Sequence, residues 1–97
     1  MQRQQAIAIL QGRAAELRQL GATALYLFGS TARDEARANS DIDLFVDYDP
    51  EVFSFVELIR LGESLSCALG ATADLTTRRA LHPALKASIE GEAIRII

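Results

Sequence analysis

Ala22-Thr23-Ala24-Leu25-Tyr26-Leu27-Phe28-Gly29-Ser30, followed by Ser40-Asp41-Ile42-Asp43-Leu44-Phe45-Val46-Asp47-Tyr48, is the stretch that decides the fold. The first run is apolar on both faces and stops at Gly-Ser, the pattern of a central strand covered on two sides. In the second, Ile42, Leu44, Val46 and Tyr48 alternate with Asp41, Asp43, Phe45 and Asp47. That period of two predicts a strand. Thr31 to Ala38, between the runs, is helix-compatible and highly charged.

Working outward, Ile7, Leu10, Ala14, Leu17 and Leu20 recur at helical spacing over Gln4 to Leu20, with Gly21 as the stop. Gly12 weakens this helix locally. On the other side Asp49-Pro50 breaks the strand, and Phe55, Leu58, Ile59, Leu65 and Leu69 mark a second long helix closed by Gly70. Ala71 to Thr76 reads as a short strand. His82-Pro83 opens a last helix through about Glu90, and Ala93 to Ile97 reads as an edge strand. The order α-β-α-β-α-β-α-β predicts an α/β (α+β) fold, a small mixed sheet flanked by helices. With no internal repeat and no linker, residues 1–97 form a single domain.

Bulk properties narrow the function. A net charge of −3 argues against a module that grips nucleic acid through its backbone, so no direct nucleic-acid binding is expected. Cys67 is the only cysteine, which forbids an internal disulfide and points to a reducing, cytoplasmic setting. The polar start Met1-Gln2-Arg3-Gln4-Gln5 is unlike a signal-peptide core, and no apolar run approaches the ~20 residues of a membrane span. At 49% hydrophobic residues, so small a domain is expected to keep an apolar face for a partner. The stretch Val52 to Leu69 is the candidate, because Val52, Phe53 and Val56 widen its apolar stripe. Capping of the domain's own core is the equal alternative.

Asp41 and Asp43 stand two apart on the expected strand, so both carboxylates point to one face. Like charges that close repel unless a cation lies between them, and oxygen-only ligands suit a hard ion such as Mg²⁺. Taken alone, the pair reads rather as the wet face of an edge strand, since acidic strand faces are common. Gly29-Ser30, after a buried strand and before a helix, adds a place where backbone N–H groups approach phosphate. A cradle beside a metal pair makes the two halves of a nucleoside-triphosphate pocket.

Gly29-Ser30, ten residues, then Asp41-Ile42-Asp43 resembles the signature of the DNA polymerase beta-type nucleotidyltransferase superfamily. Within it, the chain is most similar to the minimal nucleotidyltransferase (MNT) antitoxins that accompany HEPN-domain toxins. Ala73-Asp74-Leu75-Thr76-Thr77 resembles the strand bearing that family's third carboxylate, and Ala80-Leu81-His82-Pro83 through Glu92-Ala93-Ile94 its C-terminal helix and strand. The resemblance implies a nucleotidyltransferase fold and the two-metal mechanism. Asp41, Asp43 and Asp74 would then be the catalytic metal ligands, with Asp74 also helping to deprotonate the acceptor. Gly29 and Ser30 would hold the β/γ-phosphates. Arg33 would either reach phosphate or form a structural salt bridge.

The implied reaction is transfer of AMP from ATP, with Mg²⁺, to a hydroxyl of a HEPN-type ribonuclease toxin, that of a tyrosine, silencing it. Transfer to a small molecule, or neutralisation by contact alone, are the alternatives. One departure stands out: the family often has glycine after the motif arginine, where this chain has Asp34-Glu35. Those acids either face solvent or weaken nucleotide binding. Elsewhere Cys67 reads as core, Tyr26 and Tyr48 as sheet packing, Arg78-Arg79 as a solvated loop, His82 as a helix-start residue, and Asp47 as too far along its strand to join the site.

Overall fold

The computed structural model describes residues 1–97. Strands β1 (Ala22–Phe28) and β2 (Ile42–Tyr48) pair antiparallel, with Leu25 opposite Val46 and Phe28 opposite Asp43. A helix, α4 (Phe55–Leu69), carries the chain from β2 to β3 (Ala73–Thr77), which lies parallel to β2. The C-terminal β4 (Ile94–Arg95) pairs antiparallel with β1, giving the order β3-β2-β1-β4. The mixed sheet and flanking helices are those expected from the sequence.

The period of two in β2 sorts its residues as read. Ile42, Leu44 and Val46 are buried in one core with Leu25 and Leu27 of β1, and helices cover that face. Leu10 of α1 (Arg3–Gln11), Leu17 of α2 (Ala14–Leu20), and Leu61, Leu65 and Leu69 of α4 complete it. The opposite face holds Asp43, Phe45 and Asp47. Here Phe45 is fully buried beneath aromatic neighbours: the Tyr26 ring stacks on it at 4.7 Å and Phe28 lies at 5.8 Å. Tyr48 stacks on Phe53 at 5.2 Å. Both tyrosines are packing residues, as expected.

Four local expectations need correction. The N-terminal helix is two helices, because the chain turns at Gly12-Arg13, where Gly12 gives little helical preference. The break lets Leu10 and Leu17 both reach the core. The charged segment after Ser30 is not a helix to Ala38: α3 (Gly29–Ala32) is a single turn, ended as Asp34 takes a left-handed φ of 58°. The last helix, α5 (Lys86–Glu92), opens three residues after Pro83, and His82 instead accepts the Ala84 N–H at Nδ1. Cys67 is exposed, since it lies across α4 from the Leu61-Leu65-Leu69 stripe.

Arg78, expected to be solvated, ties the far end of the sheet together. Its guanidinium makes a fork with the Asp47 carboxylate at 2.8 and 2.9 Å, donates to Glu90 of α5, and lies about 5 Å over the Tyr26 and Phe45 rings. Asp47 is thereby engaged away from Asp43, and its carboxyl is held below the usual range by the Arg78 hydrogen bonds. Arg78→Ala is expected to cost about 2–3 kcal/mol by thermal or urea unfolding, from lost charged hydrogen bonds and ring stacking. The sign with pH follows from the lowered Asp47 value. The pair's contribution is complete above the ordinary carboxylate range and disappears as pH falls through the depressed value. The stability gap between wild type and Arg78→Ala should therefore narrow at acid pH to what the ring stacking contributes.

Candidate active site

Three local features bring the carboxylates to one end of the uncovered face. Antiparallel pairing sets Asp43 beside Phe28, one residue before Gly29. The parallel β2–β3 register places Asp74 directly beside Asp43. Paired residues in neighbouring strands share a face, so Asp43 and Asp74 project together. Asp41 sits one residue before β2, exposed, two positions from Asp43. Asp41, Asp43 and Asp74 are thus assembled from segments 31 residues apart in the chain, and the short strand Ala73–Thr77 is what delivers the third of them.

The electrostatics show the strain of that arrangement. The Asp43 carboxyl is pushed above the ordinary range, chiefly by burial, then by Asp74 and Asp41, with Glu92 adding to the effect and Arg33 opposing it. An oxygen-only set in which two carboxylates crowd a third fits a hard divalent cation, which would relieve the repulsion. The side chains as they stand close no cage of three or more ligands; the register supplies proximity only.

Gly29 is fixed here by two independent requirements. Its φ is +73°, and a Cβ at this position would stand 2.2 Å from Asp43 Oδ2. Only glycine lets the backbone turn off β1 and lie against the carboxylate. Because α3 is one turn long, its dipole is small, and an anion here would depend on individual N–H groups and Ser30, which is half-buried.

Glu92, which the sequence reading passed over, enters this cradle. Its Oε1 accepts the Gly29 N–H at 3.1 Å, and its carboxylate takes Arg33 Nη1 at 3.0 and 3.2 Å. Arg33 also donates to Glu35 at 3.4 Å. In the free protein Arg33 is therefore a salt-bridge residue. The link spans 59 residues between two exposed-looking charges, and nothing in local patterning signals it.

The departure at Asp34-Glu35 is explained by backbone geometry. Asp34 holds the left-handed conformation that glycine would take most easily and that aspartate tolerates better than most residues. Its Oδ1 accepts the Arg3 N–H at 3.0 Å, satisfying the first turn of α1. Asp34 is thus turned to α1, and Glu35 is exposed beside Arg33.

A family model for the nucleotidyltransferase domain matches residues 11–96. The chain belongs to the nucleotidyltransferase domain family. A Methanocaldococcus jannaschii protein, provisionally named a protein adenylyltransferase, is 45% identical over 71 residues, covering 72% of this chain and 71% of that protein. Protein adenylyltransferase MntA of Thermococcus cleftensis is 32% identical over 90 residues, 92% of this chain and 90% of its own length. Among solved structures, one provisionally described as a minimal nucleotidyltransferase aligns over 97% of this chain and 95% of its own, at 32% identity and a TM-score of 0.84. A chain from the complex of a tri-AMPylated Shewanella oneidensis HEPN toxin with an MNT antitoxin shares the fold at 20% identity. It covers 94% of this chain and 71% of its own, with a TM-score of 0.65. The expected nucleotidyltransferase fold is therefore the observed one.

Proposed function

We propose that this nucleotidyltransferase is an antitoxin that transfers AMP from ATP to a tyrosine hydroxyl of a partner HEPN-type ribonuclease toxin. The observation that carries this reading is the β2–β3 register, which sets Asp74 beside Asp43, while Asp43 itself lies against the Gly29 turn. The adenylyltransferase names of the relatives favour AMP as the group transferred and a protein as the acceptor. The toxin as acceptor rests on the AMPylated partner in the structural neighbour.

Asp41, Asp43 and Asp74 would hold Mg²⁺, which supplies charge stabilisation for the attacking and leaving oxygens. The Gly29 and Ser30 segment, with Arg33, would hold the β/γ-phosphates and so present the α-phosphorus toward Asp74. Asp74 would take the proton of the acceptor hydroxyl. The acceptor oxygen then bonds to the α-phosphorus, the α–β bridging bond breaks, and pyrophosphate leaves with that bond's electrons.

The carboxylates stand on an open sheet face, which suits an acceptor brought by another macromolecule. An apolar surface for such a partner is present. Val52, Phe55, Val56 and Ile59 are 52, 73, 55 and 47% exposed, while Phe53 and the Leu61-Leu65-Leu69 stripe fill the core. The α4 region thus has two apolar faces, and only one is used internally. Co-expression with the product of the adjacent gene should yield one complex on size-exclusion chromatography. Phe55→Glu together with Ile59→Glu should dissociate it without lowering the melting temperature. A protein that elutes alone in both cases would remove the antitoxin reading and leave a free-standing transferase.

A further inference from the structure

We propose that Glu92 is a selectivity residue for polyphosphate: its carboxylate occupies the phosphate position between the Gly29 N–H and Arg33, and only a ligand with more negative charge displaces it. This rests on the nucleotide site proposed above. Both donors that a β- or γ-phosphate would need are engaged by one side chain, at 3.1 Å from Gly29 and 3.0 Å from Arg33. A carboxylate and a phosphate oxygen ask for the same partners, planar guanidinium and backbone N–H, so the two compete for one place.

Glu92 is also poised to leave. It is the last residue of α5, where a negative side chain faces the negative end of the helix. Its side chain is 29% exposed and that of Arg33 46%, so solvent weakens the pair that holds it. Displacement also frees the end of α5, where the Ala93 N–H closes on Ile89, just ahead of β4. Arg33 thereby serves in turn as salt-bridge partner and phosphate ligand.

Calorimetry with a non-hydrolysable ATP analogue plus Mg²⁺, with tripolyphosphate, and with AMP tests this on wild type, Glu92→Gln and Glu92→Ala. Both variants should bind the analogue and tripolyphosphate about fivefold or more tightly than wild type, with AMP unaffected, the modest factor reflecting solvent exposure of the pair. Equal or weaker binding by the variants overturns the proposal and makes Glu92 a structural tie. If no analogue binds to any of the three proteins, the nucleotide reading itself fails, and the competition with it. Should both variants unfold, amide exchange on wild type decides. Saturating analogue should speed exchange at Ala93, and unchanged or slower exchange overturns the displacement.

Discussion

Asp43→Asn is expected to reduce nucleotidyl transfer by at least about 100-fold while leaving the protein as stable as wild type or more so. Loss of a metal ligand removes several kcal/mol of charge stabilisation in the transition state, and each factor of ten in rate corresponds to about 1.4 kcal/mol. The stability half of the result follows from the raised Asp43 carboxyl. A carboxyl whose folded value exceeds its unfolded one destabilises the ionised fold. Its penalty is absent below the ordinary carboxylate range, grows as pH rises through the raised value, and is constant above it. Asparagine removes that penalty at neutral pH. Melting temperature should therefore not fall without metal, whereas stabilisation by Mg²⁺ plus ATP should be lost. Asp41→Asn should act in the same direction. Intact transfer in Asp43→Asn would remove the metal-site assignment, and a large fall in its melting temperature would mean that Asp43 is held by structure rather than merely crowded by charge.

Gly29→Ala should be the most damaging conservative change in the chain. The new methyl would meet Asp43 Oδ2 at 2.2 Å, and the backbone would carry a side chain at φ +73°. Conformational strain of this kind costs about 1–2 kcal/mol, and displacing a partly buried carboxylate brings the total to about 2–4 kcal/mol. Gly70 supplies the control, since its φ is +66° and nothing lies within 4 Å of where its Cβ would stand. Gly70→Ala then reports strain alone. In a domain of this size each kcal/mol lowers the melting temperature by roughly 4–8 °C. Gly29→Ala should fall at least twice as far as Gly70→Ala and should lose transfer; equal shifts would show that Gly29 is not packed against Asp43.

Much of this was legible in residue order. The alternation from Ile42 to Tyr48 fixed a strand with one face in the core, and the two-residue spacing of Asp41 and Asp43 fixed a shared face. Asp74 was found only through family likeness, since a lone acid in a five-residue strand has no periodicity to mark it; the parallel register that gives it meaning is a tertiary fact. Glu92 escaped for the same reason at longer range, because its partners lie 59 and 63 residues away. The single-turn α3 is not legible because helix-compatible composition says nothing of one residue at positive φ, here Asp34, and the break at Gly12 follows from a packing demand, both Leu10 and Leu17 reaching the core, that helical spacing alone does not show. Cys67 was misassigned by residue type. Its position, two residues past Leu65, already put it on the far side of the helix.

The test that bears most directly on nucleotidyl transfer is to incubate the protein with the proposed HEPN-type toxin partner, Mg²⁺ and ATP labelled at either the α- or the γ-phosphate. Label should appear on the toxin from α-labelled ATP alone, remain absent with γ-labelled ATP, and require Asp43. Transfer from the γ position would make the protein a kinase, and no transfer from either position would contradict an AMP-transferring antitoxin.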